Sequence, residues 1–378
     1  MPARWRALQA AIPAAPHLQG DARRCDATLP HLTEDLPGLE PEAVSAWLHE
    51  HIGAEPPITY SLIAAGGSNL TYRMDDAGGH TWALRRPPAT AVLATAHDVA
   101  REFKILDALA RDGAVPVPAA VALCEDTDVT GAPFSVMGFA DGTILRTEAD
   151  GQRLTADQAD AASDSLVDVH VAMHAIDPDR VGLGDLTRHR TGYAERQLAR
   201  WRKQVEAARV RDTPVLDDLH ERLTSSVPAE SGTPTIAHGD YRFDNTVLGA
   251  DHRIIAVLDW ELCTIGDAVA DFVWSLLYWE DPGDSIGFLP SSPTLAPVFR
   301  RRAEVAEMYA QRSGRSLDAL QWLVVFSYWK MACIAEGAYV RRLKGARAGA
   351  SEGSNVAAIA DRVDALLEHA RDASSGVL

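Results

Sequence analysis

The feature that most constrains the fold of this 378-residue chain is a change in the spacing of its apolar residues near position 138. Before that position, apolar and polar residues alternate in short runs separated by turn residues, a pattern typical of antiparallel strands. After it, apolar residues recur at helical spacing in longer segments. A strand-rich part followed by a helical part predicts an α+β fold with two lobes. The strand runs are residues 58–63, 70–74, 81–85, 121–123 and 133–137, and the main helical segments are residues 157–174, 193–209, 298–312, 317–343 and 356–371.

We expect the chain to divide into three parts. Residues 1–34 mix Ala, Pro and Arg without sustained periodicity and are predicted to be an N-terminal tail. Residues 35–138 are predicted to form the β-rich lobe, with a short helix over about residues 41–53 and another over about residues 96–110. Residues 139–378 are predicted to form a mainly helical lobe.

The charge and the cysteines narrow the class of protein. Lys and Arg number 36 against 53 Asp and Glu, and the formal net charge of −17 argues against a nucleic-acid partner. The acidic excess would suit a cationic substrate, although simple solubility explains it more easily. The four cysteines lie far apart without zinc-site spacing, which predicts a reducing, cytoplasmic location. The most apolar run, residues 323–329, is far shorter than the about 20 residues of a membrane-spanning helix, so no membrane partner is expected.

The strongest chemical signal is the segment HGDYRFDN, from His238 to Asn245. An Asp followed five positions later by an Asn matches the catalytic-loop spacing of kinase-type phosphotransferases. In that chemistry Asp240 accepts or orients the proton of the acceptor hydroxyl, and Asn245 offers an amide oxygen to Mg²⁺ bound between nucleotide phosphates. An apolar strand over residues 254–258 then ends at Asp259, whose carboxylate can ligate the same metal. Each feature alone is weak, but the ordered set predicts phosphoryl transfer.

Upstream residues follow the order that a nucleotide-binding lobe requires. A Gly-Gly-Ser-Asn turn at residues 66–69 would let backbone N–H groups approach phosphates, although a plain hairpin turn explains it equally well. Arg85, on the third strand, occupies the position where such lobes carry a phosphate-pairing Lys, and its guanidinium keeps that charge. Glu102, at the edge of the apolar face of the second helix, is placed to reach Arg85. The alternative is a surface Glu that pairs with a nearby Arg.

These motifs resemble the aminoglycoside phosphotransferase (APH) and choline kinase-like family, a branch of the protein-kinase-like fold. Within that family the chain looks most similar to the kinase-like domain found ahead of acyl-CoA dehydrogenase modules in larger proteins. This similarity covers about residues 35–348. The resemblance to the family rests on residues 238–245, 257–261 and 265–267, with Asp271. The closer similarity rests on residues 66–72, 84–88, 96–102 and 116–118, and it is extended by residues 124–126 and 337–345.

The resemblance implies a bilobal protein-kinase-like fold that binds ATP with Mg²⁺ and transfers the γ-phosphoryl group to a small-molecule hydroxyl. It implies that Asp240 is the catalytic residue and that Asn245 and Asp259 are metal ligands. Asp267 and Asp271 are expected to brace the catalytic loop. The nucleotide-binding residues that it implies are Gly67, Ser68, Asn69, Arg85, Glu102, Met137 and Phe139, the last two in a hinge facing adenine. His238 is expected to pack and to form hydrogen bonds rather than to titrate.

The sequence leaves more than one possibility for the acceptor and for the oligomeric state. The closer resemblance favours a metabolite such as a hydroxy acid or a hydroxyacyl-CoA, and the alternatives are an aminoglycoside or other antibiotic, or a non-catalytic module that holds nucleotide or acyl ligand. A basic cluster near the helical end would suit CoA, although a solvated helix face explains it equally well. Its members are Arg341, Arg342, Lys344 and Arg347. The apolar stripe over residues 356–367 is expected to pack on its own lobe rather than on another chain. The protein is expected to be a monomer or a homodimer.

Overall fold

A five-stranded antiparallel sheet dominates the first half of the chain in the computed structural model, which describes residues 36–65, 69–88, 99–284, 287, 291–347 and 356–374. Its strands are β1 (Thr59–Ala65), β2 (Leu70–Asp75), β3 (Thr81–Arg86), β4 (Ala120–Cys124) and β5 (Phe134–Gly138). They pair in the order β1-β2-β3-β5-β4. Each pair is antiparallel, with Leu84 opposite Tyr72 on one side and Val136 on the other.

Alternating burial along β2 gives the sheet two different faces. Tyr72 and Met74 belong to a small core that the sheet shares with helix α1 (Pro41–Ile52). This helix has a proline in its first turn and ends at Gly53, which adopts a left-handed φ of 69°. Helix α2 (Val99–Asp112) belongs instead to the larger core of the molecule.

Helices make up most of the second half of the chain. They are α3 (Glu148–Gly151), α4 (Ala156–His174), α5 (Tyr193–Ala208), α6 (Pro214–Ser225), α7 (Ala268–Leu276), α8 (Arg302–Ser313), α9 (Leu320–Arg347) and α10 (Val356–Ser374). The long helix α9 packs along α10 and against α5 and α7. The core among these helices continues through Ala83 and Met137 to the sheet, so the two parts meet over apolar side chains.

Two short strand pairs carry the sequence motifs. Strand β6 (Thr235–Ala237) pairs with β9 (Thr264–Gly266), and β7 (Thr246–Leu248) pairs with β8 (Ile254–Val257), both antiparallel. The Leu258 N–H donates a hydrogen bond to the Asn245 carbonyl over 2.8 Å. The pairing of β7 with β8 therefore places Asn245, at the end of the first motif, beside the residues that lead to Asp259.

The architecture confirms the predicted α+β fold class, with strands preceding helices. Each of the five strand runs predicted before residue 138 overlaps an observed strand of the main sheet, and the strand predicted over residues 254–258 overlaps β8. The helix predicted over residues 298–312 begins later, at Arg302. Helices α3, α6 and α7 were not predicted. Strands β6, β7 and β9 were not predicted either, because each has only three residues and so shows no periodicity. The predicted tail over residues 1–34 lies outside the described residues.

The last helix covers its apolar side within the chain. Val363, Leu366 and Leu367 on α10 are buried, and α10 packs on α9. Packing on its own lobe, as predicted for this stripe, is confirmed for these residues. In the described part of the chain, no helix combines the length and the hydrophobicity needed to span a membrane.

Candidate active site

The candidate catalytic loop, residues 238–245, begins with a buried histidine. His238 Nε2 donates a hydrogen bond to the Leu258 carbonyl over 2.9 Å, and Nδ1 accepts one from the Asp240 N–H over 3.2 Å. Burial lowers the pKa of His238, which favours the neutral ring with one donating and one accepting nitrogen. Gly239 follows with φ of 84°, and a Cβ there would lie 2.9 Å from a backbone oxygen. The predicted structural role of His238 is confirmed.

A buried carboxylate on α7 braces this loop. The oxygens of Asp271 accept hydrogen bonds from the backbone N–H groups of His238 and Gly239, over 3.0 and 2.8 Å. They also accept from the Nε2 atoms of His170 and His174, over 3.1 and 3.2 Å. Burial opposes ionisation, but the contacts with the two histidines hold the pKa of Asp271 well below its usual value. The bracing role predicted for Asp271 is confirmed.

Asp267, for which the same role was predicted, acts elsewhere. Its Oδ1 accepts a hydrogen bond from the Ala270 N–H over 2.9 Å and caps the N-terminus of α7. Its carboxylate also accepts from the N–H and the hydroxyl of Ser231, over 2.5 and 2.9 Å. The prediction that Asp267 braces the catalytic loop is therefore wrong. Its contacts hold the segment before β6 against the start of α7.

Asp240 and Asn245 lie side by side at the two ends of a short turn. The Asn245 Nδ2 donates to the Asp240 Oδ2 over 2.9 Å and to the Asp240 carbonyl over 2.8 Å. These contacts use the amino group of the amide, so Oδ1 is the atom of Asn245 that can serve as a ligand. The structure thus brings the predicted catalytic residue and one predicted metal ligand into direct contact.

The surroundings of Asp240 set its charge. Burial raises the pKa of Asp240, while the positive charge of Arg242 and hydrogen bonds with Tyr278 and Asn245 oppose the rise. Arg242 Nε lies 3.5 Å from Asp240 Oδ1, and the guanidinium lies over the Tyr278 ring, 4.8 Å from its centroid. Sequence reasoning gave neither Arg242 nor Tyr278 a role. The charge of Arg242 within the motif was the available signal, whereas nothing local marks Tyr278.

Asp259, the second predicted metal ligand, follows β8 in a left-handed backbone conformation with φ of 64°. Asp adopts this conformation more readily than most residues. Its side chain and that of Asn245 line the same cleft. Carboxylate and amide oxygens are hard ligands of the kind that Mg²⁺ prefers, so the donor set of this cleft fits that ion.

Arg85 connects the sheet to this loop through three carboxylates. Its Nε lies 3.1 Å from Glu102 Oε2, and its Nη2 lies 2.6 Å from Asp259 Oδ1 and 3.4 Å from Glu261 Oε2. Glu102 is 3% exposed, so it is not a surface residue and the predicted pair with Arg85 is present. Burial raises the pKa of Glu102, and the charge of Arg85 opposes that rise.

One described residue between β1 and β2 contacts the same cluster. Gly67 and Ser68 lie outside the described residues. Asn69 is buried, and its Nδ2 donates to Glu261 Oε2 over 3.3 Å. Sequence reasoning missed Glu261, which stands two residues after Asp259 in the quoted motif and was given no role.

A cleft of about 480 Å³ lies between the sheet and the helical part. Arg85 and Glu102 line it together with Asn245 and Asp259. The predicted hinge residues Met137 and Phe139 line it as well, and Ile63, Leu106 and Leu258 add apolar surface. A cleft with both apolar walls and a guanidinium suits a ligand that has a flat apolar part and an anionic part.

The described members of the predicted basic cluster do not line this cleft. Arg341 borders a separate cavity of about 160 Å³ between α5 and α9, with Trp201 and Cys333 among its other walls. Arg342 and Lys344 are exposed on the same helix, and the side chain of Arg347 lies outside the described part. The cluster is therefore not brought to the residues of the motif.

The match to known families agrees with this geometry. The model of the phosphotransferase enzyme family APH matches residues 59–323. The chain is 31% identical over 328 residues to human acyl-CoA dehydrogenase family member 11, which covers 83% of this chain and 41% of that protein. The chain thus spans less than half the length of this relative.

Solved structures show the same fold. A putative aminoglycoside phosphotransferase from Ralstonia eutropha JMP134 superposes with a TM-score of 0.74 at 28% identity, over 89% of this chain and 98% of that one. The streptomycin–ATP–APH(2")-IIa ternary complex superposes with a TM-score of 0.55 at 14% identity, over 89% and 98% of the two chains. The second likeness shows the fold alone.

Proposed function

We propose, since this chain belongs to the phosphotransferase enzyme family APH, that it transfers the γ-phosphoryl group of ATP to a hydroxyl group of a small molecule. The observation that carries the proposal is the convergence of three predicted residues. Asp240 contacts Asn245, and Asn245 lines one cleft with Asp259. Phosphoryl transfer through a loose transition state needs mainly positioning and charge neutralisation, and this set offers both.

ATP would lie in the cleft of about 480 Å³. We assign Met137 and Phe139 to the adenine side, because they lie at the end of β5, where the sheet meets the helical part. Arg85, held by Glu102, would contact the phosphates. Gly67, Ser68 and Asn69, which stand between β1 and β2 in the sequence, would approach the phosphates. The boundary near residue 138 would then be the hinge between the two lobes.

Asn245 and Asp259 would hold Mg²⁺ through side-chain oxygens. The bound ion would neutralise charge on the phosphates. Arg242 would add a fixed positive charge close to the reacting groups, since it lies 3.5 Å from Asp240. Nothing in this arrangement requires a covalent enzyme intermediate.

Asp240 would accept the proton of the acceptor hydroxyl. As the oxygen of that hydroxyl forms its bond to the γ-phosphorus, the bond from phosphorus to the ADP oxygen breaks, and the proton passes to the Asp240 carboxylate. The carboxylate must be ionised to do this. Tyr278 and Arg242 favour that state, although burial opposes it.

For the acceptor we propose a metabolite such as a hydroxy acid or a hydroxyacyl-CoA. The support is the similarity to a protein named for acyl-CoA dehydrogenase, of which this chain spans 41%. An aminoglycoside or another antibiotic is the second candidate, supported by the printed names of the structural neighbours. We expect a cytoplasmic enzyme, monomeric or homodimeric, whose cysteines Cys124, Cys263 and Cys333 stay reduced and buried.

A non-catalytic kinase-like module is favoured by one observation, the contact between Arg85 and Asp259. A guanidinium 2.6 Å from the carboxylate competes with a metal for that oxygen. Retention of Asp240, Asn245 and Asp259 in one site favours catalysis instead, because a binding module does not need all three.

The proposal is tested by incubating the protein with Mg·ATP and a pooled panel of acceptors. The panel holds aminoglycosides, macrolides, choline-like alcohols, hydroxy acids and hydroxyacyl-CoAs, and mass spectrometry reads a phosphoryl mass gain. We expect a gain in a hydroxy acid or hydroxyacyl-CoA that is absent with the isosteric Asp240→Asn variant. Nucleotide binding without a gain in any acceptor would favour the non-catalytic module. A gain confined to an antibiotic would overturn the preferred acceptor.

A further inference from the structure

Lys330 is a lysine on α9 whose charge no carboxylate in the described structure compensates directly. Its side chain is half-buried, and its Nζ lies 3.8 Å from the centroid of the Trp274 ring. Among the described residues, no hydrogen bond or ion pair of Lys330 is found, and its ammonium lies over the Trp274 ring. A cation over an aromatic face is stabilised by the ring, but the ring supplies no oxygen acceptor to the three N–H donors of the ammonium.

The ammonium belongs to the surroundings of the candidate catalytic residue. Trp274 lies edge-on to Tyr278, with ring centroids 6.1 Å apart, and Tyr278 forms a hydrogen bond with Asp240. Arg242 covers the Tyr278 ring at 4.8 Å. A continuous line of contacts therefore leads from Lys330 to the carboxylate that would accept the hydroxyl proton.

The electrostatics around Lys330 agree with this placement. Burial lowers the pKa of Lys330 to about 8, while the negative charges of Asp271 and Asp240 oppose the shift and Arg200 adds to it. The described contacts of the two carboxylates are with other groups, since Asp271 accepts from backbone and histidine donors and Asp240 accepts from Asn245. A half-buried ammonium that serves packing alone is unfavourable, because an apolar side chain would fill the same space without desolvating a charge.

We infer that Lys330 binds an anionic group of the acceptor, a carboxylate or a phosphate, and thereby selects an acidic hydroxyl-bearing substrate. The inference rests on the proposed function, because it takes Asp240 as the residue that meets the acceptor hydroxyl. An oxygen anion would supply the acceptors that the Lys330 donors lack. Lys330 and Arg242 together would repel the amino groups of a polycationic acceptor.

The transfer assay uses matched acceptors with Lys330→Met and Lys330→Arg. A hydroxyhexanoate carries a carboxylate, its methyl ester is neutral, and its CoA thioester carries phosphates instead. We expect the wild type to prefer at least one charged acceptor to the ester. Lys330→Met should raise the KM for that acceptor about tenfold with little change in kcat or in the KM for the ester. Lys330→Arg should keep the preference, and the exposed Lys203→Met serves as the matched control.

The two charged acceptors separate the two sources of the anion. An effect on hydroxyhexanoate would assign a carboxylate, and an effect on the thioester alone would assign a phosphate. An unchanged ratio of charged to neutral acceptor in Lys330→Met, or an equal effect of Lys203→Met, would overturn the inference.

Binding without turnover separates this inference from the proposed function. Hexanoate and hexanoyl-CoA lack the hydroxyl, and titration calorimetry with Mg·ADP present measures their affinity directly. Weaker binding to Lys330→Met than to the wild type and Lys330→Arg would support the anion site even if no acceptor were phosphorylated, in which case only the proposed function fails. Binding of neither anion to the wild type would overturn the inference, whatever the transfer assay shows.

Discussion

Arg85 Nη2 lies 2.6 Å from Asp259 Oδ1 while Arg85 Nε lies 3.1 Å from Glu102 Oε2. One guanidinium therefore joins strand β3, helix α2 and the loop after β8. The planar fork of Arg makes this possible, whereas the compact ammonium of Lys is a single point charge. The consequence is that a metal bound to Asp259 must displace the guanidinium or share the carboxylate with it.

Replacing Arg85 by Lys tests this competition. We expect Arg85→Lys to bind Mn²⁺ about three- to tenfold more tightly, because the shorter side chain pairs with buried Glu102 and releases Asp259. Electron paramagnetic resonance of free Mn²⁺, titrated with ADP present, measures the affinity without turnover. Arg111→Lys, on the exposed side of α2, is the control. Equal or weaker Mn²⁺ binding by Arg85→Lys would show that the guanidinium does not compete.

Asp259→Asn tests the metal assignment itself. The amide keeps the tolerance for a left-handed backbone at φ of 64° but loses the charge. We expect phosphoryl transfer to fall by on the order of 10³-fold and Mn²⁺ affinity to fall with it. Steady-state rates over a range of Mg²⁺ concentrations measure the first effect. The exposed Asp318→Asn should match the wild type, and near-normal Mg²⁺-dependent turnover in Asp259→Asn would exclude Asp259 as a ligand.

Tyr278→Phe should move the acid limb of the pH–rate profile. A hydrogen bond with the Tyr278 hydroxyl helps to hold down the pKa of Asp240, which burial raises, so its loss raises that pKa further. Because Asp240 would accept the hydroxyl proton only when ionised, the acid limb should move to higher pH. The pH dependence of kcat/KM measures the shift, with Tyr339→Phe as control. An unmoved acid limb would mean that the ionisation of Asp240 does not limit the reaction.

The buried contact between His170 and Asp271 makes the free energy of unfolding depend on pH. Burial, with the neighbouring His174, lowers the pKa of His170 to about 4, from about 6.5 for a histidine in the unfolded chain. Between these values the unfolded chain binds the proton and the folded chain does not. The contribution of His170 to the free energy of unfolding is therefore complete above about pH 6.5. It decreases by about 3 kcal/mol as the pH falls towards about 4.

A variant that cannot titrate isolates this effect. His170→Gln keeps a donor for Asp271 and should flatten the dependence of the unfolding free energy on pH between about 4.5 and 6.5. Urea unfolding across that range measures it. The exposed His51→Gln should retain the wild-type slope. The same slope in His170→Gln would show that another group causes the dependence.

The main sheet and the long helices were predictable because their patterns are local. Burial alternates along β2 as its sequence does, and Gly53 ends α1 where a left-handed residue is needed. The contact within the candidate catalytic loop was predictable for the same reason, since Asp240 and Asn245 lie five positions apart.

Contacts across long separations were not predictable in this way. The bond from Arg85 to Asp259 joins residues 174 positions apart, and Tyr278 reaches Asp240 from beyond α7. Asp267 and Asp271 stand four positions apart near the start of one helix, yet the first caps it and the second braces the loop. Which oxygen meets which donor is set by tertiary packing, and no local pattern records it.

The central claim is that Asp240 serves the chemical step rather than nucleotide binding. One experiment tests it directly: phosphoryl transfer from labelled ATP with Mg²⁺ by the wild type and by Asp240→Asn, with Mg·ADP affinity measured on the same samples. We predict an affinity within about twofold of the wild type and a transfer rate lower by on the order of 10³-fold. Equal transfer rates, or a collapse of Mg·ADP binding in the variant, would contradict it.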